Sequence, residues 1–431
     1  MTEGLLLVIF FTLLVLGVPI AFSIGLATLG AMLITIDFVP ASTTLAQRLA
    51  AGINSFALLA IPLFVLSGVL MGQGGIAQRL IRFARTLVGM LPGGLAFVNV
   101  IASTLFGAVS GSAVAATTAV GGVMIPAMED DDYEREFAAA LTATASTTGL
   151  LIPPSNVLIV FALASGSVSI AALFVGGYLP GLLVGLCLSV VCWFYAKNRG
   201  LTGAPRTKGA EVIQAFVVAL PSLALIVLVI GGIIQGAFTA TEAGAVAVIY
   251  SLVLSVWVYK ELSFAQLPNI LIDATVTTAT VMILIGTSIA MSWLLAYQNI
   301  PRQVTEALLY ISDNPLIILL LINLTLLIVG SFMDMTPAVM IFTPIFLPVA
   351  VDLGMSPLHF GIMMVLNLSI GLCTPPVGSV LFVSSAVAGT PLTKMVRPLL
   401  PMYAAMIAAL LLVTYIPEVS ESLPRVFGLY P

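Results

Sequence analysis

Two stretches of the chain carry the same glycine and proline punctuation 222 positions apart: Gly149-Leu-Leu-Ile-Pro153-Pro154 and Gly371-Leu-Cys-Thr-Pro375-Pro376. Pro126 and Pro348 stand at the same separation, each 28 residues before the second proline of its pair. An offset kept over so many positions of a 431-residue chain means two copies of one unit, each about half its length. With 60% hydrophobic and only 7% charged residues, the chain has too little polar surface to dissolve as a globule and must take lipid as its solvent. Lipid tolerates an unwound backbone only where protein or a watery cavity satisfies the freed N–H and C=O groups. Breaks at matching places in the two halves therefore point to a site for a solute or an ion between them.

Crossing roughly 30 Å of hydrocarbon takes about 20 apolar residues. Runs of that kind cover residues 50–72, 137–164, 170–196, 212–235, 241–259, 271–297, 360–388 and 399–416. The opening run, 4–36, is too long for one span and short for two. Shifting the second half back by 222 positions places segment boundaries near residues 13 and 19, so we split this run at Gly17-Val18-Pro19. Two further runs, 91–128 and 315–350, are interrupted at Val109-Ser110-Gly111-Ser112 and across residues 330–337. Both are predicted to be re-entrant helical hairpins whose tips meet near the midplane. The fold class is an all-α polytopic membrane protein with two such hairpins and two broken helices.

Lysine and arginine collect on the cytoplasmic side. Arg79, Arg82, Arg85 and Arg135 flank the first hairpin, Lys197, Arg199, Arg206 and Lys208 fill the central loop, and Lys260, Lys394 and Arg397 mark two more turns. Only Arg302 flanks the second hairpin. The first hairpin is thus expected to open to the cytoplasm and the second to the outside, an inverted repeat. Ten spans then put both termini outside the cytoplasm. Met1-Thr2-Glu3 lacks the basic region of a cleavable leader, so the opening run is expected to be retained. Residues 78–88 place Arg79 and Arg82 on one helical stripe, which fits an interfacial helix or the charged end of the preceding span. The net charge of −4 is spread over loops, and no basic cluster suggests nucleic acid. Cys187, Cys192 and Cys373 lie in apolar runs without metal or disulfide spacing.

At the first tip, Ser110, Gly111 and Ser112 precede an alanine-rich helix. Hydroxyls and free N–H groups there favour an anion, while the carbonyls ending the preceding helix favour a cation. Plain helix capping by the serines is the alternative. In the first broken helix, Ser146-Thr147-Thr148-Gly149 and Pro153-Pro154-Ser155-Asn156 interrupt an apolar run. Proline removes donors and leaves bare carbonyls. Carbonyl, hydroxyl and amide oxygens together suit a hard cation such as Na⁺ without a net charge that would trap it. A proline kink explains one break alone, but less readily two in register.

The second half offers Ser331, Asp334 and Thr336 at its tip, then Asn367, Ser369, Thr374, Pro375, Pro376, Gly378 and Ser379 in its broken helix. A carboxylate at the bilayer centre costs on the order of 3 kcal/mol, which marks Asp334 for an ion or gating role. Capping the helix that starts near Thr336 would explain its position but not its charge. Glu242, after Thr239-Ala240-Thr241, is expected to cap a helix at an outer interface, and Asp273 lies near the start of another span. His359, the one histidine, sits beside Pro357 and reads as a surface loop residue, with no second histidine or nearby cysteine for a metal or proton relay. There is no G-x-x-x-x-G-K-[ST] phosphate loop, so uphill transport by ATP through that motif is excluded.

Taken in order along the chain, Gly17-Val-Pro-Ile-Ala-Phe22, Leu59-Ala-Ile-Pro-Leu-Phe64, Ser110-Gly-Ser-Ala-Val-Ala115, Ile152-Pro-Pro-Ser155, Phe238-Thr-Ala-Thr-Glu-Ala243 and the Pro344 to Pro348 stretch resemble one family, the large membrane subunit of tripartite ATP-independent periplasmic (TRAP) transporters. The family often has proline where Ala240 stands, and the acidic run Glu129 to Asp132 is denser than usual. The resemblance implies a Na⁺-coupled, elevator-type, inverted-repeat permease of a bacterial inner membrane that takes up an organic acid. Sialic acid and C4-dicarboxylates are the types expected. It also implies two partners, a small four-helix membrane subunit and a soluble periplasmic substrate-binding protein, with about two Na⁺ sites, no ATP and no catalytic residues. Mapped onto this sequence, the Na⁺ positions are Ser110, Gly111, Ser112, Thr147, Thr148, Ser155, Asn156, Gly330, Asp334, Met335, Thr336, Thr374, Pro376 and Gly378. The substrate positions are Ser110, Ser112, Ser155, Asn156, Thr336, Gly378 and Ser379.

The implied organisation assigns residues 1–90 to scaffold helices and an interfacial arm, 91–196 to a first transport region and 197–211 to a cytoplasmic linker. Residues 212–314 form the second scaffold part, 315–417 the second transport region and 418–431 a tail. A self-sufficient Na⁺-driven dicarboxylate or citrate carrier of the related superfamily is the second reading. An intramembrane hydrolase is the third, and it lacks a second carboxylate beside Asp334 or a base beside a tip serine.

Overall fold

The computed structural model describes residues 2–205 and 208–430, so Met1 and Arg206 of the readings above lie outside the described residues. Regular structure among the described residues is helical throughout. The first unit runs α1 (Thr2–Val15), α2 (Ile20–Met32), α3 (Phe38–Ile53), α4 (Ala60–Gln73), α5 (Ile76–Val88), α6 (Gly94–Ser110), α7 (Ala113–Glu129), α8 (Arg135–Thr148), α9 (Asn156–Ser165), α10 (Ile170–Gly176) and α11 (Tyr178–Arg199). The second runs α12 (Gly209–Ile234), α13 (Ala240–Val253), α14 (Leu267–Tyr297), α15 (Ile300–Ile311), α16 (Pro315–Phe332), α17 (Met335–Asp352), α18 (Pro357–Gly371), α19 (Ser379–Ala388), α20 (Leu392–Tyr415) and α21 (Glu418–Val426). Eight helical segments among the described residues are long and apolar enough to cross a membrane.

The interrupted runs fold as helix pairs, α6 with α7 and α16 with α17, and the punctuated helices break between α8 and α9 and between α18 and α19. Gly17, at φ +79°, turns the chain between α1 and α2 where the opening run was split. α5 is a helix of its own, set off from α4 by Gly75 at φ +71°, so the arginine stripe is not a continuation of the preceding span.

Two helices form the axes of the packing. Every residue of α8 from Phe137 to Thr148 and of α18 from Leu358 to Gly371 is buried. A helix as apolar all round as α18 belongs inside. The alanines and threonines of α8 let neighbours approach closely, and its threonine hydroxyls are satisfied by the helix itself, as in Thr142 donating to Ala138 O at 2.8 Å. α6 and α7 wrap α8, α16 and α17 wrap α18, and the two units interlock because α7 packs on α19 and α9 on α17. Around this body stand α2, α3 and α14 on one side and α4, α12 and α13 on another. Buried Ser67 and Ser251 bond at 2.8 Å across the α4–α13 contact.

Three sequence expectations are corrected. The span at 50–72 breaks at Asn54-Ser55, and the stretch before it, left outside the spans, is the 16-residue helix α3. Its hydroxyls bond its own backbone, Ser42 to Phe38 O and Thr43 to Val39 O, both at 2.7 Å, so a polar face survives there. His359 is not on the surface: it lies 1% exposed on α18, with Nε2 donating to Val413 O of α20 at 2.6 Å. The segment set aside as a tail contains α21, which packs on α10, α11 and α18 and carries Glu421 at 4% exposure.

Glu242 caps α13. Its Oε2 accepts from Thr239 N at 2.8 Å while Thr239 Oγ1 accepts from Glu242 N at 3.3 Å, a reciprocal box. Thr239→Ala is expected to lower stability by about 1 kcal/mol in thermal unfolding. Unchanged stability would mean that the box does not hold the start of α13.

Candidate functional site

Tip 1 is held in place by glycine. Gly111 lies at φ +62°, and a Cβ there would sit 3.3 Å from Pro154 O and 3.5 Å from Asn156 Nδ2. The tip is therefore pressed onto the first break. Ser112 caps α7, its Oγ accepting from Ala115 N at 3.3 Å, and Ser110 Oγ donates to Ser112 O at the same distance. The capping alternative thus holds for Ser112.

The first break is different. Ser155 stands at the N-cap of α9 yet makes no cap bond, and its buried Oγ has no partner among the described residues. Asn156 Oδ1 and Ser146 Oγ are likewise buried and unpartnered. Leaving a buried oxygen unmatched costs about 1–3 kcal/mol, so three around one break call for a missing partner. Neutral hydroxyl and amide oxygens fit a small hard cation. Thr147 and Thr148 are turned away, donating to Thr144 O at 2.8 Å and Ala145 O at 2.6 Å.

At tip 2, Asp334 occupies the N-cap position of α17 but its side chain makes no cap bond, and the residue is exposed. The carboxylate does not make the cap bond that its position suggested. Behind it, the second break is tied to its own hairpin: Val377 N and Gly378 N both donate to Ser331 O, at 3.2 and 3.4 Å. Gly378 turns the chain at φ +34°. Thr374 Oγ1 donates to Ile370 O at 2.8 Å, and the Tyr403 hydroxyl of α20 donates to Cys373 O. Pro375, Pro376 and Val377 are exposed, whereas residues 149–155 of the first break are buried. Both prolyl pairs have cis bonds.

Each hairpin meets its break through paired glycines. A Cβ on Gly149 would lie 2.4 Å from Gly107 Cα, and one on Gly371 would lie 2.5 Å from the carbonyl carbon of Gly330. The repeat seen in the punctuation is thus a repeat of backbone contacts.

Ser110, Gly111, Ser112, Asn156, Asp334, Met335, Thr336 and Ser379 meet at one cleft of about 670 Å³. Thr147, Thr148, Ser155, Gly330, Thr374, Pro376 and Gly378 do not line it and lie in the supporting layer around the breaks. Sequence analysis missed the opposite wall, formed by Gly68 and Gln73 of α4 and Thr277 of α14. Gly68 takes the Ser110 carbonyl against its backbone, where a Cβ would sit 2.4 Å from that oxygen. Gly68 and Gly72, one turn apart on α4, were the available signal.

The sequence matches the family described as tripartite ATP-independent periplasmic transporter, DctM component, over residues 7–419. It is 49% identical to the uncharacterized protein YgiK of Salmonella typhimurium, covering 97% of this chain and 96% of that one. It is 41% identical to the C4-dicarboxylate TRAP transporter large permease protein DctM of Pseudomonas aeruginosa (94% and 95% covered), and 39% identical to the sialic acid TRAP transporter large permease protein SiaM of Vibrio cholerae (96% of each). Among solved structures, the YdaH transporter of Alcanivorax borkumensis has the same fold, with a TM-score of 0.61 at 15% identity over 90% of this chain and 89% of that one. The chain is a multi-pass inner-membrane protein. With full-length relatives at this level and a family match over nearly every residue, it belongs to the DctM family, the large permease component of tripartite ATP-independent periplasmic transporters.

Proposed function

We propose that this chain takes up an organic acid across the inner membrane, driven by Na⁺, as the large permease subunit of a tripartite system. The observation that carries the reading is the meeting of both hairpin tips at one cleft, with unpartnered buried oxygens at the adjoining break. Tip hydroxyls and backbone N–H groups supply an anion site, and the oxygens of the breaks supply Na⁺ sites, about two in all. A cleft of about 670 Å³ is large enough for a C4-dicarboxylate or a sialic acid, the substrates in the names of two relatives. The interlocked hairpin body would slide past the surrounding helices as an elevator. A small four-helix subunit and a periplasmic substrate-binding protein complete the system, and the site carries cargo rather than performing catalysis.

The driving force suffices. Two Na⁺ ions moving down about 100 mV and a tenfold gradient release roughly 2 × (2.3 + 1.4), or ~7 kcal/mol, while a monoanion entering against that potential costs ~2.3. The surplus of ~5 kcal/mol supports accumulation of a few thousandfold.

The test is uptake of radiolabelled succinate and sialic acid into proteoliposomes holding this chain and its small subunit, with and without an inward Na⁺ gradient and the candidate soluble protein. Uptake that needs both supports the proposal. Na⁺-driven uptake without the soluble protein would indicate a self-sufficient carrier, and loss of chemically intact substrate would indicate hydrolysis.

A further inference from the structure

The cleft between the tips does not end at α4. Gly72 and Gln73 at the end of α4, with Ala119 on α7, also bound a second chamber of about 500 Å³. Its other walls include Gln78, Arg79 and Arg82 of the α5 stripe and Glu261 beyond α13. With three residues in common, the two chambers adjoin, the first at the hairpin tips and the second at the arginine stripe of α5.

Charge in the outer chamber is uneven. Arg79 is fully engaged: Nη1 donates to Gly75 O at 2.5 Å, Nη2 to Glu261 Oε1 at 3.1 Å, and the guanidinium lies 3.9 Å from the centroid of the Tyr259 ring. That ion pair uses Glu261, the one carboxylate on the chamber wall. Arg82, one turn further along the same stripe, is exposed and has no ion-pair partner among the described residues. The chamber therefore carries one uncompensated positive charge next to the cleft whose tips are proposed to hold an anion. Low-dielectric walls focus such a charge onto whatever moves between them.

The geometry points to the outer chamber as a release vestibule for a carboxylate-bearing organic anion, with Arg82 as the residue that draws the anion away from the tips. This rests on the transport reading above. An arginine that merely faced lipid headgroups would act on the membrane surface at large. Arg82 acts on the chamber, and Arg85, one turn on and outside both chambers, does not.

The experiment reads the chamber's charge without needing the natural substrate. In the full-length protein with Cys187, Cys192 and Cys373 replaced by alanine, Gln73→Cys is labelled in inverted vesicles with 2-sulfonatoethyl methanethiosulfonate (anionic) and with its 2-(trimethylammonio)ethyl counterpart (cationic). The anionic-to-cationic rate ratio is expected to fall about threefold or more in Arg82→Gln, to fall further in Arg82→Glu, to persist in Arg82→Lys and to be unmoved by Arg85→Gln. Gln78→Cys, on the same wall, reports the same ratio should Gln73→Cys fail to accumulate. A ratio indifferent to Arg82, one that shifts equally with Arg85, or no labelling at either position overturns the proposal. Succinate uptake is expected to slow about threefold in Arg82→Gln and to recover in Arg82→Lys. Absence of both succinate and sialic acid uptake by the unaltered protein would count against the transport reading while leaving the labelling ratio to decide the vestibule.

Discussion

Alanine at Gly149 or Gly371 is expected to cut Na⁺-driven uptake more than about tenfold and to lower stability by about 2–3 kcal/mol, although each change adds a single methyl group. The reason is what that methyl meets. At Gly149 it would lie 2.4 and 2.5 Å from the Gly107 Cα and carbonyl carbon, and at Gly371 it would lie 2.6 and 2.5 Å from the corresponding atoms of Gly330. These are backbone atoms and cannot rotate aside, so the hairpin must lift off its break by about 1 Å to reach ordinary carbon–carbon separation. The break oxygens then no longer face the tip they were folded against.

The converse substitutions should be graded. A Cβ on Gly107 would come within 2.9 Å of Gly149 Cα, and one on Gly330 within 3.2 Å of Gly371 Cα, so Gly330→Ala should be the mildest of the four. Gly122→Ala, on α7 with nothing within 4 Å of the added Cβ, should raise stability by up to about 1 kcal/mol through helix propensity. Uptake into proteoliposomes and thermal unfolding in detergent check both readouts. Wild-type behaviour of Gly149→Ala would mean that the hairpin and break are not rigidly coupled in the working protein.

The features legible in the sequence were those written in local chemistry. Glycine and proline change the backbone wherever they stand, so the two hairpins, the two breaks and the turn at Gly17 could all be placed from punctuation and a single offset. What depended on a distant partner could not. α3 was hidden by Ser42, Thr43 and Arg48, whose polarity is absorbed by helix carbonyls and, for Arg48, by the Trp293 ring at 5.3 Å. Shifted by 222 positions, the end of α3 falls on the start of α14, a continuous 31-residue helix. His359 was misread for a different reason: Pro357 suggested a loop, when Ser356 followed by proline is also the start signal of a helix. Ser356 Oγ accepts from His359 N at 3.1 Å and donates to Glu421 of α21. The same histidine could not have been placed inside without knowing that Val413 offers it a carbonyl. At the site, residue type singled out hydroxyls but not how each is used, since Ser112 and Ser155 both stand at helix N-cap positions and only Ser112 makes the cap bond.

That difference yields the sharpest test of Na⁺ binding. Ser155→Ala is expected to leave stability unchanged or slightly raised without Na⁺, because its buried hydroxyl has no protein partner to lose. If the hydroxyl is an ion ligand, its removal should weaken Na⁺ binding about tenfold, equivalent to ~1.4 kcal/mol. A ligand that binds only the folded state stabilises it by RT ln(1 + [L]/Kd). At a Na⁺ concentration 100 times the original Kd, the stabilisation then falls from about 2.7 to about 1.4 kcal/mol. The unfolding temperature of Ser155→Ala should therefore trail the wild type in high Na⁺ and match or exceed it when choline replaces Na⁺. Ser112→Ala, which loses its bond to Ala115 N, should be destabilised by about 1 kcal/mol in both media. A Ser155→Ala deficit of equal size with and without Na⁺ would make the hydroxyl structural and remove it from the proposed ion site, whereas a deficit confined to Na⁺ would tie the break to the ion proposed to drive transport.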